Sequence, residues 1–192
     1  MEDKCKSDSA SLGDREHAEH TLGLIWNIKL DTLNFSISLR NTPTEVIEGV
    51  RPPTKCEITS TVMSVFDPLG LASHITVQGK SLIQQAWRLG ISWDDQVPHK
   101  LDVLWCTWLT EVKKLGYLEV PRSVAEGMSR GELRTFTDAS EKAYYVTAVY
   151  YVTTDEREES RITLESAKAR VASLNPITIP KLELQAALIA AD

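Results

Sequence analysis

The sequence predicts an α+β fold, in which an N-terminal β-hairpin is followed by a helical middle region and then by a β-β-β-α unit. Three observations predict this order. Apolar residues alternate with a period of two near the start and recur at helical spacing in the middle, and three strand-like segments precede an Ala- and Leu-rich ending. Hydrophobic residues make up 42% and charged residues 25% of the 192 residues, a balance that is typical of globular chains with a buried core.

The first predicted element is a β-hairpin over residues 21–41, after a flexible polar leader over residues 1–20. Two runs of apolar residues alternate with polar or smaller ones, and a turn at residues 29–32 separates the runs. The alternating residues are Leu24, Trp26, Ile28 and Leu30 in the first run, and Leu33, Phe35, Ile37 and Leu39 in the second.

Residues 42–120 are predicted to be mainly helical, apart from a linker at 41–55 in which Pro52 and Pro53 exclude regular structure. The first helix stops before Pro68, the second ends at Gly90, and the third ends with Gly116 as its cap. The apolar positions at helical spacing are Ile58, Val62, Val65 and Phe66 in the first, Leu82, Ile83, Ala86 and Trp87 in the second, and Leu101, Leu104, Trp105, Trp108, Val112 and Leu115 in the third.

Residues 132–192 are predicted to form the β-β-β-α unit, after a second linker at 121–131. The strands are expected at 132–138, 143–152 and 161–171, and a helix follows them. Pro180 suits the first turn of that helix, because an N–H group there would have no helical partner. Three strands with one covering helix make an incomplete core, so we expect the chain to be a fragment of a longer protein.

The charge and the cysteines limit the classes of function. The net charge is −6 and the isoelectric point about 5.3, whereas a free-standing nucleic-acid-binding domain is usually basic. No apolar run reaches the roughly 18 residues of a transmembrane helix, and the N-terminus has no signal-peptide core. The spacing of the three cysteines does not match a metal-binding motif; they are Cys5, Cys56 and Cys106. We therefore expect an intracellular location, cytoplasmic or nuclear, with reduced cysteines.

Asp138 and Glu183 are the main candidates for chemistry. Asp138 lies at the end of a predicted strand, and Glu183 lies one turn into the following helix, between Leu182 and Leu184. Two carboxylates that converge at one end of a sheet suit Mg²⁺, which takes oxygen ligands and offsets their mutual repulsion. A Glu183 that faces the sheet would need such a partner. Alternatively, Asp138 caps a turn and Glu183 is stabilised by the helix dipole, and spacing alone favours this alternative.

Two other groups of potential metal ligands have simpler explanations. His17 and His20 have the spacing of a helical metal pair, but the polar leader around them offers no third ligand. Asp94 and Asp95 precede a proline and a helix, so turn formation and capping are the expected roles.

Two groups of aromatic residues could either stack on nucleic-acid bases or pack against other residues of the protein. Trp105 and Trp108 could stack on bases, but their helical spacing with Leu101 and Val112 favours the core. Cross-strand packing is likewise expected for the tyrosines of the predicted second strand, which are Tyr144, Tyr145, Tyr150 and Tyr151.

Three separated strings, which occur in order, resemble the polyprotein of BEL/Pao retrotransposons. The strings are VFDPLGLASHITVQGKSLIQQAWRLGISWDD, FTDASEKAYYVTAVY and AKARVASLNPITIPKLELQAA. The resemblance covers nearly all of the chain after the leader. It implies the C-terminal end of a reverse transcriptase, with thumb-like and connection segments, followed by the opening of a ribonuclease H domain. The string TLGLIWNIKLDTLNFSI resembles the hairpin that follows the polymerase palm.

The resemblance implies a role for both candidate carboxylates. Ribonuclease H folds begin with three antiparallel strands and a helix, and the first strand and first helix each supply a metal-binding carboxylate. Asp138 matches the former and Glu183 the latter, which favours catalytic and metal-binding roles over the turn and dipole alternative. The implied cofactor is Mg²⁺. The implied partners are an RNA–DNA hybrid or the remaining polymerase and ribonuclease H portions of the polyprotein, and no membrane is implied.

The sequence also departs from the family pattern. Two further carboxylates are expected from a later strand and helix, and no Y-x-D-D polymerase motif occurs. Tyr145 stands where relatives have a small residue, Ser173 replaces a proline, and Lys181 replaces an arginine. We therefore expect the chain by itself to be catalytically inert.

Two alternatives to a ribonuclease H fragment stay open at this point. One is a non-catalytic module that binds nucleic acid or a partner protein. The other is an aspartic peptidase, since the region is often labelled Pao retrotransposon peptidase. A retroviral-type peptidase needs a glycine two residues after its aspartate, whereas Asp138 is followed by Ala139 and Ser140.

Overall fold

A computed structural model of the protein describes residues 18–21, 24–123, 131–140, 144–154, 160–175 and 177–191. It has two antiparallel sheets and five helices within these ranges. The elements are β1 Ala18–Thr21, β2 Leu24–Asn27, β3 Thr32–Phe35, α1 Thr44–Ile47, α2 Lys55–Ser64, α3 Ser73–Arg88, α4 His99–Leu115, β4 Glu119–Pro121, β5 Gly131–Asp138, β6 Tyr144–Thr154, β7 Ser160–Arg170 and α5 Ile179–Ala191. The predicted α+β class is confirmed, and so is the order of hairpin, helices and β-β-β-α unit.

The first sheet has four strands in the order β1-β2-β3-β4. The predicted hairpin is its centre, where β2 and β3 pair with Leu24 opposite Phe35 and Asn27 opposite Thr32. Leu24 and Phe35 are both buried. The period-two pattern therefore predicted the hairpin correctly, since it reports the face of a strand that the core covers.

Three short elements lie in segments that were predicted to be irregular. Strand β1 includes residues 18–20 of the expected leader, α1 lies in the first linker, and β4 lies at the start of the second. Each has only three or four residues, which is too short to show a periodic pattern. Pro121 is tolerated in β4 because this strand is at the edge of the sheet, where a missing N–H group does not interrupt the ladder.

The main hydrophobic core lies among α2, α3 and α4. Trp105, Ile58 and Val112 are fully buried, and Trp108 is nearly so. The Trp108 Nε1 group donates a hydrogen bond of 2.9 Å to the carbonyl oxygen of Ile75. This confirms that Trp105 and Trp108 are core residues, and it leaves their rings unavailable for base stacking.

Helix α3 packs closely on α4 because Gly79 leaves room for the Trp108 ring. A Cβ atom at Gly79 would lie 2.7 Å from the Trp108 ring, well inside van der Waals contact. A glycine inside a helix weakens it by roughly 0.5–1 kcal/mol relative to alanine. The close packing of the indole explains why a glycine is used here.

The second sheet has the order β5-β6-β7, with both pairs antiparallel. Helix α5 packs on β5 and β6. The helical region reaches this sheet at the outer edge of β7, where the Ala167 N–H group donates a 2.9 Å hydrogen bond to the carbonyl oxygen of Leu69. The Gln84 side chain also donates a hydrogen bond to the carbonyl oxygen of Ala172. The two parts of the fold are thus joined by hydrogen bonds along β7 and just beyond its end.

None of the described helices is both long enough and apolar enough to cross a lipid bilayer.

Candidate functional site

Asp138 is the last residue of β5. It pairs with Val146 of β6, and its side chain is exposed. Its Oδ1 atom accepts a hydrogen bond of 2.8 Å from the N–H group of Ala139. A short aspartate side chain that accepts a hydrogen bond from a neighbouring backbone N–H group competes with the hydrogen bonds between strands. This explains why β5 ends at Asp138. The same bond orients the carboxylate.

Glu183 lies in the first turns of α5. The helix begins with the N–H groups of Lys181 and Leu182, which donate to the carbonyl oxygen of Thr178 at 3.0 Å and 3.1 Å. Leu182 and Ala186 face the sheet and are almost fully buried, because residues four apart lie on one face of a helix. Glu183 itself is exposed, so the possibility that it faces the sheet is not realised and its charge is not desolvated.

Packing between the two elements brings the ends that carry these carboxylates together. Ala139 packs against the small hydrophobic cluster built on Leu182 and Ala186. Asp138 precedes Ala139 in the chain, and Glu183 follows Leu182. Asp138 and Glu183 are thus each the chain neighbour of a residue in this packed contact. Within the described ranges, no group of three or more His, Cys, Asp and Glu side chains is positioned to hold a metal ion.

The other candidate metal ligands from the sequence are Asp94, Asp95, His17 and His20. Asp95 forms a turn, since its Oδ2 atom accepts a 2.8 Å hydrogen bond from the Ser92 N–H group. This confirms the turn role for Asp95, but the predicted capping role is wrong, because α4 has Pro98 at its N-cap and no side-chain cap. His17 lies outside the described residues, and His20 lies in β1.

The tyrosine-rich strand packs as expected where its side chains are described. The ring of Tyr150 makes an edge-to-face contact with Phe136 of β5, with 5.8 Å between the ring centroids. Aromatic pairs across neighbouring strands stabilise a sheet, so Tyr150 has a packing role. The side chains of Tyr144 and Tyr145 lie outside the description.

Asp67 is a partly buried carboxylate whose environment the sequence did not reveal. Its Oδ2 atom accepts a 2.9 Å hydrogen bond from the Ala72 N–H group, and its Oδ1 atom is buried without a partner among the described residues. Burial raises the pKa of Asp67, while hydrogen bonds from the backbone of residues 70–72 and the charge of Lys80 oppose that shift. From sequence, Asp67 was only the stop of a helix before Pro68. The sequence did contain one signal, which is the turn after Asp67 that ends in glycine. Such a turn presents backbone N–H groups that can donate hydrogen bonds to a carboxylate.

A comparison with protein-family models gives one match. A family model described as Pao retrotransposon-like RNaseH-like domain matches residues 54–192. This range includes α2, α3 and α4, the contact with β7, and the whole β-β-β-α unit. No curated protein and no solved structure gives a significant match.

Proposed function

Because the chain belongs to the family of Pao retrotransposon-like RNaseH-like domains, we propose that it acts in the removal of RNA strands from RNA–DNA hybrids during retrotransposon replication. Within that proposal, the hairpin at 21–41 and the helical region at 42–120 belong to the reverse transcriptase end of a polyprotein, and residues 132–192 belong to its ribonuclease H-like part. The family model runs across both parts from residue 54. The observation that supports it most is the packing of Ala139, which follows Asp138, against the cluster that includes Leu182, which precedes Glu183.

Asp138 and Glu183 are the residues that we propose to bind Mg²⁺. Both are exposed oxygen ligands, and neither forms an ion pair with another described residue. This fits Mg²⁺, which dehydrates reluctantly and is usually held by one or two carboxylates together with water and substrate phosphates. When bound, the ion activates water and stabilises the leaving oxygen of the cleaved strand. The Ala139 N–H group holds the Asp138 carboxylate in a fixed orientation for this role.

We also propose that the chain is inert as a nuclease by itself. Two-metal cleavage needs carboxylates on both ions, and the described residues supply Asp138 and Glu183. The other ligands would then come from elsewhere in the polyprotein. An aspartic peptidase is not favoured by any observation, since the residues after Asp138 are Ala139 and Ser140 rather than a turn with glycine.

Cleavage of a labelled RNA–DNA hybrid tests this proposal. We expect no cleavage by the 192-residue chain with Mg²⁺. In a longer polyprotein that includes it, Asp138→Asn should lower hybrid cleavage by roughly a hundredfold, the upper range for disturbing a metal site. Asp94→Asn is the matched control, because Asp94 is exposed in a remote turn. Robust cleavage by the isolated chain that Asp138→Asn abolishes would contradict its inertness. Equal effects of the two substitutions in the polyprotein would contradict the function.

A further inference from the structure

A groove runs between α3 and β7, where the helical region meets the edge of the second sheet, and the end of α5 also lines it. Two adjoining cavities form it, with volumes of about 450 Å³ and about 570 Å³. Lys80 and Ala169 line both cavities, so the two lie next to each other. We call this feature the α3–β7 groove and define it by Lys80, Trp87, Lys168 and Arg170, which lie along it.

The α3–β7 groove carries positive charge on both walls. Lys80, Lys168 and Arg170 are exposed, and none of them forms a hydrogen bond or an ion pair with the rest of the described chain. The sixteen residues of α3 include no aspartate or glutamate, and neither do residues 166–182. Asp67, at one end of the groove, is the single acidic residue of its lining. In a chain with a net charge of −6, this is a local concentration of unpaired cations.

An aromatic ring lies beside these cations in a fixed position. Trp87 lines the groove and is 50% exposed. The Lys55 Nζ atom lies 3.9 Å from its ring centroid, and the Trp93 ring makes an edge contact with 5.3 Å between centroids. These contacts hold the indole in place without burying it. A ligand that stacks on Trp87 therefore does not have to order the side chain first.

We propose that one single strand of nucleic acid binds in the α3–β7 groove, with phosphates at Lys80, Lys168 and Arg170 and a base stacked on Trp87. Cations that track a backbone, together with an aromatic ring for a base, are the usual features of single-strand binding. A single strand is favoured over a duplex because stacking on Trp87 requires a base face that is not covered by a neighbouring base pair. The inference takes its class of partner from the proposed function, but it does not depend on a metal at Asp138.

The groove lies near the candidate metal site. Arg170 is opposite Tyr144 and Asp138 is opposite Val146, so both are at the same end of the second sheet. Strand β6 lies between them, which places their backbones roughly 10 Å apart at the usual spacing of neighbouring strands. A strand that leaves the groove at Arg170 would pass close to Asp138.

Fluorescence anisotropy with labelled twenty-nucleotide oligomers tests the proposal. We expect the chain to bind single-stranded oligothymidine and oligouridine at low salt, and to bind a duplex of the same length at least tenfold more weakly. Three phosphate contacts predict a slope of about −2 for the logarithm of the affinity against the logarithm of the salt concentration. Lys168→Glu and Arg170→Glu should each weaken binding about tenfold. Lys100→Glu, which makes the same charge change at an exposed position of α4, should leave binding unchanged.

Trp87→Leu provides a second variant, which should weaken single-strand binding by about tenfold while circular dichroism confirms the fold. Absence of single-strand binding at low salt would overturn the proposal. So would binding that prefers the duplex, or binding that Lys100→Glu weakens as much as Lys168→Glu. Asp138→Asn should leave single-strand affinity unchanged, so failure of the metal-site proposal and failure of this one give different results.

Discussion

Glu57 determines where α2 begins. Its carboxylate accepts a 2.7 Å hydrogen bond from the Thr54 N–H group, while the Thr54 hydroxyl accepts one from the Glu57 N–H group at 3.2 Å, so the two residues form a capping box. The same carboxylate takes two further bonds from the Arg51 guanidinium, at 2.9 Å and 2.6 Å. One side chain thus fixes both the start of the helix and the segment before it.

We predict that Glu57→Gln lowers the free energy of unfolding by about 1 kcal/mol at pH 7, as expected for a partly exposed bidentate ion pair. The hydrogen bonds from Arg51 lower the pKa of Glu57 below its ordinary value of 4.5. The charged form is therefore favoured by folding, and its stabilisation is present above pH 4.5 and is lost as the pH falls through the lowered pKa.

Urea unfolding of both proteins across this pH range measures the effect, and the difference between them should shrink toward zero in acid. Glu48→Gln is the control, because Glu48 is exposed and should show little difference at any pH. A Glu57→Gln difference that stays constant from pH 7 into acid would contradict the assignment.

At the same scale, the sequence selected the candidate site residues but did not predict their environment. Asp138 and Glu183 were selected because the β-β-β-α order and the family resemblance both point to them, and their role in a metal site stays a prediction. The exposure of Glu183 was not predicted. It has an apolar residue on each side, and the sequence did not show which of the two faces the sheet. The structure buries Leu182 and leaves Leu184 exposed, and this difference depends on the position of α5 over the sheet.

At the scale of elements, the sequence predicted long periodic segments well and short ones poorly. Helices α2, α3 and α4 and strands β5, β6 and β7 lie within a few residues of their predicted ranges. The helices repeat their apolar pattern at least twice, and the strands have 8 to 11 residues. Strand β4 has only three residues, and its pairing with β3 depends on a residue far away in sequence. Arg122, the residue after β4, makes two contacts with Asp31. Its guanidinium lies 2.6 Å from the Asp31 carboxylate, and its N–H group donates a 2.9 Å hydrogen bond to the Asp31 carbonyl oxygen. A contact between such distant residues has no local sequence signature.

At the scale of the whole molecule, the turn at residues 67–70 joins the helical region to the second sheet. The Leu69 carbonyl oxygen extends the ladder of β7 by accepting from Ala167, and the Asp67 carboxylate closes the turn by accepting from Ala72. Gly70 has a φ of +71°, and a Cβ atom there would overlap the Ala167 carbonyl group. The junction therefore requires glycine for two separate reasons.

We predict that Gly70→Ala destabilises the protein by about 3 kcal/mol, since strain at positive φ and overlap with a rigid backbone add together. Gly49→Ala is a matched control, because Gly49 has a φ of +73° but open space around its Cβ position. It should cost only about 1 kcal/mol. Chemical denaturation measures both, and hydrogen exchange should show faster exchange of the Ala167 N–H group in Gly70→Ala alone. Equal destabilisation by the two substitutions would contradict the proposed junction.

The measurement that tests the central claim most directly is a Mn²⁺ titration followed by NMR, with Mn²⁺ as a paramagnetic substitute for Mg²⁺. If Asp138 and Glu183 hold one ion, the amide signals of Ala139 and Leu182 should broaden together at the same Mn²⁺ concentration. The broadening should be lost in both Asp138→Asn and Glu183→Gln, and it should persist in Glu165→Gln, a matched exposed glutamate on β7. Broadening at only one of the two amides, or broadening that survives Asp138→Asn, would contradict a shared metal site.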